Sequence, residues 1–295
     1  MTTVTFYKGF HILVIKEKSF GRKYKMLAAV VPVLNEEKRV KKTLETLLSL
    51  PSDLIVPVIN GSSDNSGSII RQIKSPRVLP LEFIEPLGID IPRAVGAKVA
   101  LDRGATAVLF VDGDMNGNIA GNLRELVAKL WGNGADMALT DCYPGEYQAS
   151  LSSLAFEVLN ARTKLNKAIG LNGSIGAASP SHGPHAVSRR LLQSVPLREL
   201  AIPPVSLGLA VKKNLKIIVG TTIPHKALGS PDKDPVHSEL IAQTIIGDCA
   251  EALYAFRNEK RRRIFNDVEY NGYHPQRRWD LLEDFCQGKY KNPGS

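Results

Sequence analysis

From Met26 onward, apolar and polar positions alternate between two rhythms. Short continuous apolar runs, "LAAVVPV" at 27–33, "LIVPVI" at 54–59 and "AVLFV" at 107–111, are too short for helices. They also lack the wet alternate face of a half-exposed strand, so they predict strands buried on both sides. Between them lie stretches of helical spacing, such as Val40, Leu44, Leu47 and Leu48 in the segment 37–50. The pattern predicts strands near 26–36, 53–60, 77–84, 106–114, 135–141 and 215–222. It predicts helices near 37–50, 68–74, 92–104, 118–134, 146–170 and 234–264. Pro57 argues for an irregularity in the second strand. Strands alternating with helices imply right-handed crossovers and a largely parallel sheet.

The rhythm changes after residue 141, where a Gly/Ser/Pro/His-rich stretch (171–195) interrupts it. The chain therefore divides into a basic extension (1–25, with a short strand or hairpin at "FHILVI"), a first half (26–141), a second half (142–255) and a basic C-terminal tail (256–295). Ligands of such sheets bind beyond the carboxyl ends of the strands. Three of those ends are polar and distinctive: "NEE" at 35–37, "NGSSD" at 60–64 and "DGD" at 112–114. Two aspartates one residue apart after a hydrophobic strand repel each other when both are ionised. A divalent cation would turn that repulsion into binding energy. The plain alternative is a polar turn in which Asp112 or Asp114 caps the next helix.

Composition narrows the partners. The formal charge of +9 on 295 residues favours anionic ligands. The basic run at 257–263 carries no interleaved aromatics, so a nucleic-acid platform is excluded, and Arg261, Arg262 and Arg263 read as a solvated helix face. Three widely spaced cysteines fit no zinc or redox motif and imply a reducing, cytoplasmic setting. No apolar segment has the length of a membrane span, and no cleavable leader is recognisable.

With these pieces placed, the chain resembles nucleotide-sugar-dependent glycosyltransferases of the GT-A fold over about residues 26–255. The first half resembles the inverting family 2, and the layout is similar to the retaining glucosyl-3-phosphoglycerate synthase and mannosylglycerate synthase type. The family's P-x-x-N-E loop corresponds to Pro32-Val33-Leu34-Asn35-Glu36. Its D-G-S-x-D turn corresponds to Asn60-Gly61-Ser62-Ser63-Asp64, with Asn60 replacing an aspartate. Its A-R-N-x-G helix start corresponds to Pro92-Arg93-Ala94-Val95-Gly96, and its D-x-D to Asp112-Gly113-Asp114. The resemblance implies an α/β fold, a GT-A (Rossmann-like) mostly parallel sheet flanked by helices, with a helical C-terminal acceptor region.

It also implies roles. Pro32, Leu34, Asn35, Glu36, Asn60, Ser62, Asp64 and Gly113 would line the donor nucleotide, with a UDP- or GDP-sugar as donor. Arg93 would clamp phosphate oxygens, a surface ion pair being the alternative. Asp114 and Asp112, with His225 as third ligand, would hold Mn²⁺ or Mg²⁺, and Lys226 would reach phosphate. His225 could equally be a loop histidine satisfied by backbone. Arg162, Thr163, His182, Gly183, His185 and Arg189 would grip a small anionic acceptor, an exposed helix face being the alternative for Arg162 and Thr163. Departures are Asn60 and Val205-Ser206-Leu207-Gly208-Leu209, where the retaining enzymes carry a carboxylate. Asp141 and Glu146 are the only acids near a base position, which leans the reading towards retention. Two rivals stand beside this metal-dependent hexosyl transferase: a peripheral-membrane transferase acting on a polyprenyl or lipid phosphate, and a catalytically silent nucleotide-sugar-binding protein. A homodimer is left open.

Overall fold

The computed structural model describes residues 25–145, 151–171, 173–231 and 234–290. The expected basic extension before Lys25, with its "FHILVI" strand, lies outside the described residues, as does Glu146. The core is a seven-stranded sheet in the order β3-β2-β1-β4-β6-β5-β7. Its strands are β1 (Leu27–Val33), β2 (Leu54–Asn60), β3 (Leu81–Phe83), β4 (Ala107–Phe110), β5 (Met137–Asp141), β6 (His185–Ser188) and β7 (Ile217–Thr222). All neighbours pair in parallel except β6, which runs antiparallel to both β4 and β5.

Both faces are covered, which is why the strands read as unbroken apolar runs. In β1, Ala28 and Val30 face one core with helices α3 (Ile91–Asp102), α5 (Ser153–Ala168), α7 (Pro203–Lys212) and α8 (Pro235–Arg257). Leu27, Ala29, Val31 and Val33 face the other, with α1 (Val40–Leu48), α2 (Ser66–Gln72) and α4 (Ala120–Asn133). The short helix α6 (Arg189–Ser194) follows β6. Helix starts follow local chemistry: Ser152, Ser188 and Asp234 accept backbone N–H bonds as caps of α5, α6 and α8.

Pro57 leaves β2 itself unbroken, and its effect shows in the partner strand. Ile55 N–H donates to Arg77 O (2.7 Å) and Gly61 N–H to Phe83 O (2.8 Å). Pro57 lies between these contacts and has no N–H to give. The edge splits there into an isolated bridge at Val78 and the three-residue β3.

The C-terminal segment departs from expectation. The helix predicted to 264 ends at Arg257, with Asn258 in the left-handed conformation that favours Asn and Gly. Arg261 and Arg263 are thus on no helix face. Arg263 is buried and donates to Asp248 Oδ1 (2.6 Å) and Glu251 Oε2 (2.9 Å). Arg261 makes a forked pair with Glu199 (2.8 and 2.9 Å). The helix-face expectation fails because the helix has ended, and carboxylates on α8 draw Arg263 inward, whereas Arg262 and the Glu199-paired Arg261 stay exposed. Beyond them come the two-stranded ribbon β8 (Ile264–Phe265) and β9 (Val268–Glu269), then α9 (Trp279–Cys286). This segment returns to the first half, where Phe285 and Tyr290 pack on Phe83 of β3 with ring centroids 5.8 and 4.4 Å away.

Candidate active site at the carboxyl rim of the sheet

The loops after β1 and β2 lock to each other. Asn35 has φ +55°, a conformation Asn tolerates. Its N–H donates to Ser62 Oγ (3.1 Å) and its Oδ1 accepts from Ser63 N–H (2.8 Å). Glu36 N–H donates to Ser66 Oγ (2.7 Å). Asp64 accepts from Glu37 N–H and Ser66 N–H, both at 2.9 Å. Burial pushes the Asp64 carboxyl up, but these hydrogen bonds outweigh it and hold its pKa below the usual range. Ser62 and Asp64 therefore shape the rim with their polar atoms turned to backbone. Leu34, by contrast, is exposed (49%).

Asn60 is buried at the end of β2. Its Oδ1 accepts from Leu87 N–H (2.6 Å) and its Nδ2 donates to Gly88 O (3.2 Å). An aspartate could make the first bond but not the second. The residue that departs from the family pattern thus has its amide turned to the 87–88 loop.

The loop after β4 carries Asp112, Gly113 and Asp114. Gly113 N–H donates to Pro32 O (2.9 Å), and Thr43 Oγ1 of α1 donates to Gly113 O (3.0 Å). A Cβ at Gly113 would sit 3.0 Å from Pro32 O, so glycine permits this close approach. Both aspartates are half-buried at the rim. Arg93, near the start of α3, donates from Nη2 to Asp112 Oδ1 (2.7 Å) and from Nε to Asp90 Oδ1 (2.9 Å). It is a buried bridge rather than a surface pair, and its Nη1 has no hydrogen-bond partner. Burial alone would lower its pKa, but the two carboxylates raise it, so it stays charged.

The other lip is built by the ends of β5 and β7 and the loop before β6. His225 Nδ1 lies 3.1 Å from His182 Nε2, and both rings stack with Tyr143. The turn after His225 docks on the loop after β4, where Gly117 N–H donates to Leu228 O (2.9 Å). His182 is held neutral: burial, then Arg162, then His225 push its pKa well below the ordinary histidine value.

His182, Thr140, Asp141, Tyr143, Ala178, Ser179 and Arg162 line a narrow crevice, too tight as it stands to admit a water-sized molecule. Arg162 is 2% exposed, makes no ion pair with a carboxylate among the described residues although Asp141 lines the same space, and its Nε has no hydrogen-bond partner. Burial pushes its pKa down. A buried guanidinium without an anion is costly, and a bound anion would remove that cost.

The Glycosyl transferase family 2 profile matches residues 28–189. The chain belongs to glycosyl transferase family 2. Among solved structures, it is similar to glucosyl-3-phosphoglycerate synthase from Mycobacterium tuberculosis in complex with UDP, at 16% identity and a TM-score of 0.55, covering 78% of this chain and 80% of that one. Two further structures of that synthase are similar. One holds Mn²⁺, UDP and phosphoglyceric acid (20% identity, TM-score 0.51, 76% and 78% covered). The other holds Mg²⁺ and UDP (17%, TM-score 0.53, 80% of each). At these identities the likeness establishes the shared GT-A fold. No curated protein sequence matches the chain significantly. Among the described residues, no helix is long and apolar enough to cross a membrane.

Within this family 2 fold, some expected positions do not converge. Thr163 is exposed next to buried Arg162, because consecutive helical residues point about 100° apart. Arg189 donates to Leu101 O and Ala105 O (3.3 and 3.1 Å) at the opposite rim. The cause is β6: running antiparallel, it carries the chain about 10 Å from the site at His185 to the far edge at Ser188. His185 is buried, stacked 4.8 Å from Phe110, and held neutral with its pKa lowered to about 3 by burial and then by Arg93. Gly183 has φ +72° and passes against Cys142 Sγ. Ser206 donates to Pro203 O (2.7 Å) inside α7.

One acidic group away from the rim has metal-like proportions: Asp248, Glu251 and His274. Guanidiniums already fill it. Arg263 and Arg277 both donate to Asp248, Arg263 also to Glu251, and Arg277 Nη1 lies 2.8 Å from His274 Nδ1. Sequence reasoning missed Thr43, Asp90 and Arg277. Asp90 alone left a signal, an acid three residues before the helix-start arginine.

Proposed function

We propose that this family 2 chain is a metal-dependent glycosyltransferase that moves a hexose from a UDP- or GDP-linked sugar to a small phosphorylated acceptor. The observation that carries this reading is the uncompensated guanidinium of Arg162 in a crevice that adjoins the Asp112–Asp114 rim through His182 and His225. One lip presents anionic ligands for a cation, and the other presents a buried cation for an anion.

Asp112 and Asp114 fit Mn²⁺ or Mg²⁺: they are hard oxygen donors at the rim, flanking a Gly113 whose backbone Thr43 and Pro32 fix, with Asp112 bonded to Arg93. His225 is the third candidate ligand, its backbone fixed by a bond from its N–H to Cys142 O (3.1 Å). The cation, when bound, neutralises charge on the departing diphosphate. Arg93 fixes Asp112 while keeping the paired charge low. Leu34 offers an apolar surface to the base, with Pro32, Asn35 and Glu36 around it. Arg162 orients the acceptor phosphate, and neutral His182 can donate or accept a hydrogen bond beside it. With Ser206 turned inward, a retaining course fits this site, the leaving phosphate oxygen taking the acceptor hydroxyl proton. The M. tuberculosis synthase complexes hold Mn²⁺, UDP and phosphoglyceric acid together, which supports this substrate class.

A thermal-shift panel of UDP-, GDP- and ADP-sugars with and without Mn²⁺ tests the donor side, because a ligand specific to the folded state raises its melting point. Calorimetry with phosphoglycerate against glycerol tests the acceptor side. Asp112→Asn/Asp114→Asn abolishes the Mn²⁺-dependent shift. If that double variant kept full manganese affinity and turnover, the proposal would be refuted. NMR of the product's anomeric proton decides retention.

A further inference from the structure

A run of alternating buried charges joins the rim to the C-terminal segment. Asp112 accepts from Arg93, which donates also to Asp90. Asp90 Oδ2 accepts from Arg277 Nη2 (3.4 Å), and Arg277 makes a forked pair with Asp248 (2.9 and 2.7 Å). Arg277 has a fully buried side chain, and its Nε donates to Ile89 O (3.4 Å). The backbone around it braces the same loop: Arg278 N–H donates to Leu87 O (2.9 Å), and a Cβ at Gly88 would sit 2.3 Å from Gln276 O. That loop is the one Asn60 holds from the opposite side.

Asp90 stands at the N-cap position of α3 in a left-handed conformation (φ +60°), unusual for a residue with a side chain, and its carboxylate makes no capping bond to the helix. Two guanidiniums share its two oxygens. Remove Arg277, and the whole Asp90 charge acts on Arg93 alone, in competition with Asp112. Arg93 would then be drawn towards Asp90 and away from the Asp112 carboxylate.

We propose that Arg277 is a positioning residue for the donor site: through Asp90 it holds Arg93, and thereby the Asp112 carboxylate, in the orientation that receives the metal–diphosphate group. The inference rests on the reading of that rim given above. Arg277 touches no substrate and acts three contacts from the Asp112 carboxylate, through Asp90 and Arg93, one step beyond the direct outer partners that tune metal-ligating groups.

The test is calorimetric titration of Mn²⁺ in the presence of UDP or GDP, with thermal melting in parallel. Three full-length variants are compared with the wild type: Arg277→Met, Arg277→Lys and Arg261→Met. Arg277→Lys keeps one cation for Asp248 but, on a shorter and unforked side chain, gives up the Nη1 bond to Asp248 and the Nε bond to Ile89 O that hold Nη2 between Asp248 and Asp90. It is expected to melt close to the wild type while Mn²⁺ affinity falls about tenfold. Arg277→Met loses at least as much affinity. Arg261→Met breaks the pair with Glu199 beside Glu251 (3.7 Å), outside the run from Asp112 to Asp248, and is expected to lower the melting temperature without changing Mn²⁺ affinity. Folded Arg277→Lys with wild-type Mn²⁺ affinity overturns the inference. So does an Arg261→Met loss as large as that of Arg277→Met, which would mark a general loosening. A wild-type chain that binds no Mn²⁺ with either nucleotide overturns the rim reading itself. A wild type that binds beside equally competent Arg277 variants overturns only the positioning role.

Discussion

Gly96 offers a test in which geometry sets the magnitude. It lies one turn after Arg93 in α3, where the helix crosses β1. A Cβ built there would be 2.3 Å from Val30 Cγ1 and 2.9 Å from Val30 Cγ2. Carbon atoms in contact prefer about 3.5–4.0 Å, so Gly96→Ala forces a displacement of about 1.2 Å or more. Val30 is fully buried in the strand, and its β-branched side chain has little rotamer freedom there. The helix must therefore retreat, at about 1–3 kcal/mol for overpacking, less the few tenths to 1 kcal/mol that alanine recovers in helix propensity. Urea unfolding is the assay. The retreat also shifts Arg93 against Asp112, so nucleotide affinity with Mn²⁺ should fall alongside stability. The double variant Gly96→Ala/Val30→Ala supplies the decisive comparison: the new methyl occupies space that the lost methyls vacate, so its cost must be smaller than the sum of the singles. A Gly96→Ala chain that unfolds like the wild type, or strictly additive costs in the pair, would refute the close-approach argument.

Arg162→Met should separate function from stability: binding of a phosphorylated acceptor weakens by about 2 kcal/mol or more, roughly 30-fold, while the urea midpoint stays level or rises because an uncompensated buried charge is gone. His185 gives a pH signature. Its folded pKa is lowered to about 3 against an ordinary value near 6.5, so the unfolded chain binds the proton first. Stability is fully present above 6.5 and is lost as pH falls from there towards 3, by about 1–2 kcal/mol between pH 7 and 5 from this residue. His185→Phe should flatten that slope in urea unfolding measured at the two pH values; an unchanged slope counts against the assignment. Asn60→Asp restores the family's usual residue but turns a carboxylate towards Gly88 O, so a loss of about 1–3 kcal/mol is expected by chemical denaturation. An Asn60→Asp variant as stable as the wild type would show that Gly88 O does not depend on the amide.

The first half was legible because a parallel sheet covered on both sides writes itself as apolar runs. "LAAVVPV" and "AVLF" are β1 and β4, and the polar residues that follow them are the rim. Glycines and asparagines at strand ends marked the turns. Strand β6 was not legible, since four residues within a loop rich in glycine, serine, proline and histidine carry no period. That one omission misplaced Arg189, because an antiparallel strand exchanges the two rims. The segment 264–290 was hidden for another reason. Buried ion pairs and scattered aromatic contacts anchor most of it, and its one apolar stripe, Trp279, Leu282 and Phe285 on α9, is only eight residues long. Arg277 finds Asp90 187 positions away, a separation that local pattern cannot register. Arg263 was read as solvated because a cluster of positive charge in sequence does not reveal the carboxylates that meet it in space.

The return of Arg277 to Asp90 has a consequence for synthesis. The ribosome delivers chains from the amino end at about 5–20 residues per second. Both aspartates of the rim therefore emerge well before Arg277, the residue proposed to steady Asp112. A nascent chain paused after α8 would already display the parallel strands and the Asp112–Asp114 pair, yet its Asp90 and Asp248 would lack a shared cation. The proposed donor site would then be completed late in translation rather than growing with chain length.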